Sequence, residues 1–206
     1  MKVPRATAGA SLPRAACPSL RPVIGALLAG GSGSRLGRAS KPAAPLAGTP
    51  LAAYPARALA EVCERVAVVC KRDTELPPLP GTERWDEPDE PRHPLTGIVH
   101  ALETAGGPVL VCAADMPFVT ADACRTLLQT AGQGAAVVVA TADGVLSPTF
   151  GLYAPAALDG LRAAPADAPL TATIEALDPA RVALPAALVR SVNTPEELAE
   201  AEKLLG

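Results

Sequence analysis

The sequence predicts an α/β fold of three layers, a mostly parallel sheet with helices on both faces in the Rossmann-like manner. Three observations lead there. Short apolar runs such as VIGALLA, VAVVC and PVLVCA alternate with segments of helical periodicity, the pattern of strands buried on both faces. Hydrophobic residues make up 49% of the 206 but aromatics only 2%, so the core must be built from Ala, Val and Leu. Finally, the first apolar run opens directly into LLAGGSGSRLGRASKP, with four glycines before its lysine.

Taken in order, Val23–Ala29 is the first strand and leads into the glycine loop. A helix should follow over LAAYPARALAEVC, capped by Thr49 with Pro50 at its first position and kinked or delayed by Pro55. Val66–Cys70 is the second strand, and a long polar, proline-rich loop then runs through RWDE, with a brief strand near Trp85. A helix over Pro94–Ala105 precedes the strand Pro108–Ala113, which stops at Asp115. Thr120 caps the next helix, ADACRTLLQTA. Ala135–Ala140 and LSPTFGLY read as further strands, and LVRSV as a last one. NTPEELAEAEKLL closes the chain as a helix, with Thr194 and Glu197 as a capping box and Pro195 at its first position. The length suits one domain over 23–206, preceded by a disordered extension over 1–22 that lacks a signal-peptide core.

Several functions are disfavoured by composition. A net charge of −3, with two Phe, two Tyr and one Trp, gives neither a basic footprint nor a stacking platform, so no nucleic-acid partner is expected. Every apolar run is interrupted by Gly, Pro or charge, so no membrane partner is expected either. Five cysteines without a CxxC and two histidines offer neither a disulfide framework nor zinc spacing, and idle thiols in a reducing cytoplasm are the expectation.

The glycine loop carries the chemical signal. A strand ending in glycines lets main-chain N–H groups converge on an anion, because Gly has no Cβ to obstruct a phosphate. Arg35 and Lys41 follow at a distance that lets their cations return over the loop. The P-loop spacing fails, because Gly37 is followed by Arg38 and Lys41 by Pro42. The dinucleotide fingerprint fails by one residue, since Gly31, Gly33 and Gly37 give G-x-G-x-x-x-G.

The loop, written L-A-G-G-x-x-x-R-x-G-x-x-x-K from Leu28 to Lys41, resembles the signature of the MobA-like nucleotidyltransferases, the family of molybdenum cofactor guanylyltransferase. HPLTGIVHAL, CAADMPFV and VNTPEEL resemble three further motifs of that family in the same order, so the resemblance spans all but the leading extension. It implies the nucleotide-diphospho-sugar transferase fold. The implied reaction is Mg²⁺-dependent transfer of GMP from GTP to the phosphate of molybdopterin, releasing pyrophosphate. Molybdoenzymes or other proteins of that cofactor pathway are implied as partners. An ionised acceptor phosphate needs no general base, so positioning and charge neutralisation must do the catalysis.

By the same resemblance, Leu28, Ala29, Gly30, Gly31, Ser32 and Gly33 cradle the nucleotide, and Lys41 and Arg35 neutralise its phosphates. Asp115 lies where open α/β sheets place ligands and suits Mg²⁺. Asp86 faces the base, or else is one solvated acid of WDEPDE. Ser147, Thr149 and Asn193 are candidate acceptor contacts. The chain departs from the family at the end of the second strand, where Asn is usual and this chain has Val69-Cys70-Lys71, at His93, where Gly is usual, and at Ser40, where Asp is usual. A cytidylyltransferase acting with CTP, a transferase for another phosphorylated acceptor and a non-catalytic nucleotide-binding module all remain alternatives.

Overall fold

The computed structural model describes residues 22–30, 40–165 and 168–205. Among these, seven strands form one sheet in the order β5-β4-β1-β6-β8-β7-β9. The strands are β1 (Ile24–Leu28), β4 (Arg65–Cys70), β5 (Thr82–Asp86), β6 (Val109–Ala113), β7 (Val137–Ala142), β8 (Val145–Tyr153) and β9 (Ala180–Ala183). A separate two-stranded hairpin holds β2 (Pro45–Leu46) and β3 (Thr49–Pro50). All neighbours in the main sheet pair in parallel except β8, which is antiparallel to both β6 and β7.

Each central strand divides its side chains between two cores, as the two-residue period of a pleated strand requires. From β6, Leu110 and Cys112 enter one core while Val109 and Val111 enter the other; β7 splits likewise, with Val138 and Ala140 against Val137 and Val139. The first core is closed by α1 (Ala53–Ala60) and α3 (Ala121–Ala131) through Ala56, Leu59, Cys124 and Leu127. The second is closed by α2 (Pro94–Ala105), α4 (Leu158–Ala163) and α5 (Leu170–Glu175) through Ile98, Leu102, Leu161 and Ile174. Helices therefore cover both faces of a mostly parallel sheet, as the sequence predicts. With hardly any aromatics, this core rests on close packing of many small side chains, each Leu or Val contributing about 1.5–3 kcal/mol when fully buried.

Several expectations need correction. Thr49 and Pro50 do not open a helix; they pair with Leu46 and Pro45 across a turn in which Ala47 and Gly48 both have positive φ. The helix begins at Ala53, so Pro55 falls in its first turn, where the N–H it lacks would have no helical acceptor. LVRSV is not a strand. Pro185 starts a 3₁₀ turn over Ala186–Val189, and β9, unanticipated in the sequence, takes the sheet edge beside β7 instead. The β7–β8 connection is a tight hairpin at Asp143-Gly144, with φ of 50° and 80°, which reverses β8 in an otherwise parallel sheet.

The other two expected caps are formed. Thr120 Oγ1 accepts from the Ala123 amide at 3.2 Å. At the start of α6 (Pro195–Leu205), Thr194 Oγ1 accepts from the Glu197 amide at 3.2 Å while Glu197 Oε2 accepts from the Thr194 amide at 3.1 Å. Four cysteines, at positions 63, 70, 112 and 124, are free, and burial pushes the Cys63 thiol up to about 12 and Cys70 to about 11. Cys17 lies outside the described residues. No described helix is long and apolar enough to cross a membrane.

Candidate active site

The carboxyl ends of β1, β4 and β6 lie side by side, and the backbone beyond them stays in register. The Ala29 amide donates to the Val69 carbonyl at 2.8 Å, and the Ala114 amide to the Leu28 carbonyl at 2.9 Å. This brings Leu28, Ala29 and Gly30 beside Asp115, at the end of an open α/β sheet where ligands bind. Gly31, Ser32, Gly33 and Arg35 lie in 31–39, outside the described residues.

Lys41 begins a 3₁₀ turn over Lys41–Ala43 and sends its ammonium to the Asp115 carboxylate and to Asn193 Oδ1, the latter at 2.6 Å. Residues separated by 74 and 152 positions thus converge on one ammonium group. Two contacts put Asn193 there. The Val192 amide donates to the Asp115 carbonyl at 2.8 Å, and the Asn193 amide donates to Glu197 Oε2 at 2.6 Å, so the α6 cap and the β6 end clamp the tail segment from either side. The ion pair is about one-fifth exposed on each side, a setting in which charges interact more strongly than at an open surface. Asp115 Oδ1 is buried and without a hydrogen-bond partner among the described residues.

A cavity of about 180 Å³ opens beside this cluster, bordered by Gly30, Glu87, His93, Gly97, Asp115 and Thr149. Thr149 borders the cavity, whereas Ser147, earlier on β8, does not line it. Asp86 does not line it either. As the last residue of the edge strand β5, it faces Arg84 two positions back, whose Nε donates to it at 2.7 Å.

In its place the structure brings in Glu87 and Lys71, which the motifs did not single out as site residues. Lys71, following β4, is 1% exposed; it donates to the carbonyls of Pro88 and of Pro91, the latter at 3.1 Å, and stands 3.5 Å from Glu87 Oε1. Glu87 is 6% exposed, and burial raises its carboxyl above the ordinary glutamate range against the opposing pull of Lys71 and Arg92. A lysine in the slot after an apolar strand, with an acid-rich stretch downstream, was the available sequence signal. His93, the departure from glycine, caps α2 by accepting from the Leu95 amide at 3.3 Å. Ser40 donates to the Glu75 carbonyl at 2.5 Å and so pins the loop before Lys41 to the polar segment after β4.

This arrangement can hold an anion at Lys41 and a hard cation at Asp115, next to a recess of mixed polarity. The sequence model of the MobA-like NTP transferase domain matches residues 25–182, from within β1 to β9. The chain belongs to the MobA-like NTP transferase family. A molybdenum cofactor guanylyltransferase from Cereibacter sphaeroides is 33% identical over 196 residues, covering 89% of this chain and 97% of the relative. A probable molybdenum cofactor guanylyltransferase from Natronomonas pharaonis is 31% identical over 201 residues, covering 88% and 97%. Among solved structures, molybdopterin-guanine dinucleotide biosynthesis protein A from Archaeoglobus fulgidus superposes with a TM-score of 0.70 at 22% identity, covering 89% of this chain and 98% of that one. The fold is shared as well by a 2-C-methyl-D-erythritol 4-phosphate cytidylyltransferase from Thermus thermophilus, with a TM-score of 0.66 at 19% identity over 88% and 98% of the two chains. As a MobA-like protein, the chain is a nucleotidyltransferase whose relatives are named for molybdenum cofactor biosynthesis.

Proposed function

We propose that this nucleotidyltransferase moves GMP from GTP onto the phosphate of molybdopterin. An oxygen of the acceptor phosphate forms a bond to the α-phosphorus; the bond from that phosphorus to the bridging oxygen breaks, and pyrophosphate leaves with the electron pair. The acceptor oxygen is ionised at neutral pH, so the protein has no proton to remove. Its task is to hold two polyanions in line and to neutralise charge on the phosphoryl oxygens.

The observation that carries this reading is the convergence of Lys41, Asp115 and Asn193 at the carboxyl edge of the sheet. Lys41 would bind the triphosphate, exchanging its contact with Asp115 for phosphoryl oxygens. Asn193 would orient the lysine or meet the acceptor, with Thr149 supplying a hydroxyl across the recess. The donor set also fits Mg²⁺. Asp115 Oδ1 is an orphaned buried carboxylate oxygen, and no cluster of three or more His, Cys, Asp or Glu that could cage a metal exists among the described residues. One carboxylate completed by substrate phosphates and water is how Mg²⁺ is commonly held. Bound there, Mg²⁺ would supply charge neutralisation at the phosphates. The loop over Gly31, Ser32, Gly33 and Arg35 completes the proposed phosphate site by resemblance to the family signature. Release of the product to molybdoenzymes or to other proteins of the cofactor pathway, in the cytoplasm, belongs to the same proposal.

The test is pyrophosphate release by the purified chain with Mg²⁺ and molybdopterin, supplied with GTP or CTP in parallel. Release with GTP alone is the expected result. Release with CTP alone overturns the guanylyl reading, and nucleotide binding without release from any pairing overturns the catalytic one.

A further inference from the structure

Glu87 borders the recess with a buried carboxylate that has one unpartnered oxygen and is held between two glycines. Its Oε2 is buried with no hydrogen-bond partner among the described residues, and such a group is costly unless something satisfies it. The carboxylate is seated against two glycines, whose missing side chains make room for it. A Cβ on Gly30 would come within 2.1 Å of Glu87 Oε1, and one on Gly97 within 3.0 Å of Oε2. Gly30 belongs to the phosphate-loop motif and Gly97 to HPLTGIVHAL, so the two resembling motifs meet on either side of this one carboxylate.

Asp86 is engaged otherwise. Arg84 donates to its Oδ1 at 2.7 Å and also reaches the carbonyls of Lys71 and Arg72, each at 3.0 Å, which turns Asp86 along the outside of the β4–β5 edge. Lys71 works from within that edge. Its single ammonium ties the Pro88 and Pro91 carbonyls and approaches Glu87 Oε1, so it sets both the position of the carboxylate and the course of the chain from Glu87 to His93.

We propose that Glu87 rather than Asp86 reads the donor edge of the nucleobase in this chain, with Lys71 as its positioning residue. This rests on the nucleotidyl-transfer reading given above. With triphosphate at Lys41 and Asp115, the recess has one end at Glu87 and another at Thr149 and Ser191. A carboxylate repels phosphate and attracts N–H groups, so the base belongs at the Glu87 end and the phosphorylated acceptor at the hydroxyl end. Guanine presents its N1–H and 2-amino group side by side, and a carboxylate accepts from both through charge-assisted bonds. Lys71 is buried beside Glu87, and a buried cation there keeps the neighbouring carboxylate from being left as a lone buried charge.

The test compares GTP with inosine triphosphate, which lacks only the 2-amino group, by calorimetric titration of the full chain. The wild type should bind GTP about 10- to 100-fold more tightly, the range expected of a hydrogen bond to a charged group. In Glu87→Gln that ratio should fall towards one, whereas Asp86→Asn should keep it. The double variant Lys71→Met with Glu87→Gln leaves no lone buried charge, so it provides a folded background in which the same collapse of the ratio should appear. Lys71→Met alone should lower the ratio and Lys71→Arg should recover part of it; a lower melting temperature with an unchanged ratio would show Lys71 to be structural only and overturn its part. A wild-type ratio persisting in both Glu87 variants, or lost in Asp86→Asn, overturns the assignment while leaving the transferase reading intact. Binding of CTP with no binding of either purine nucleotide overturns that reading first, and this inference with it.

Discussion

At the scale of single residues, the decisive feature is an ammonium group shared by an acid and an amide drawn from distant parts of the chain. Removing either charged member should therefore disable the chemistry more than the fold. Lys41→Ala and Asp115→Ala are each expected to lower the rate of pyrophosphate release by about 10²- to 10³-fold, as loss of a preorganised electrostatic partner does elsewhere. Circular dichroism should stay native, because both side chains are partly exposed. Glu87 gives a pH-dependent counterpart. Its folded carboxyl titrates above the ordinary value of 4.5, so its contribution to stability is fully present below that value and is lost as pH rises through the raised one. The stability of the wild type relative to Glu87→Gln should accordingly decline from mildly acidic pH towards neutrality. Urea melts at several pH values measure this, and a difference that grows with pH would contradict the assigned direction.

At the scale of elements, α6 links a stability device to the site. The Thr194–Glu197 capping box also fixes Asn193, whose amide shares Glu197 Oε2. Loss of the cap in Thr194→Ala should cost about 1 kcal/mol in a urea melt. Because the cap anchors the segment that carries Asn193, the proposed acceptor contact, the same change should raise the KM for the acceptor more than that for the nucleotide. The β7–β8 hairpin is a separate case. Gly144 has a φ of 80°, where a Cβ is strained although nothing lies within 4 Å of its place. Gly144→Ala should lower the melting temperature by the equivalent of about 1 kcal/mol and leave turnover unchanged.

At the scale of the whole molecule, two cores of small aliphatic side chains hold the sheet between its helical layers, and little bulk is available to fill a void. Leu127 is fully buried between α3 and the sheet, so Leu127→Ala should cost about 2–5 kcal/mol with the active-site geometry preserved in the folded fraction. The free thiols at 63, 112 and 124 lie in the same core, and burial pushes Cys63 and Cys124 up to about 12. They should resist alkylation in the native state and react on unfolding, which mass spectrometry of iodoacetamide-treated protein would follow.

The sequence by itself determined the central strands, the Thr120 helix cap and the terminal capping box, because each follows from local periodicity or from a side chain bonding its own neighbourhood. It was silent on β9 and misleading at LVRSV. Edge pairing is a long-range contact that no local pattern specifies, and here Pro185 leads into a 3₁₀ turn while Ala180–Ala183 pairs with β7. The position of Lys41 before Pro42 and of Asp115 after an apolar strand made both legible as candidates, yet nothing local says that they touch. Only the tertiary structure decided that Asn193 joins them, that Asp86 turns to Arg84 and that Glu87 enters the recess over a buried lysine. Those outcomes depend on strand register and on which side of an edge strand a side chain leaves, and a shift of one residue exchanges the two acids.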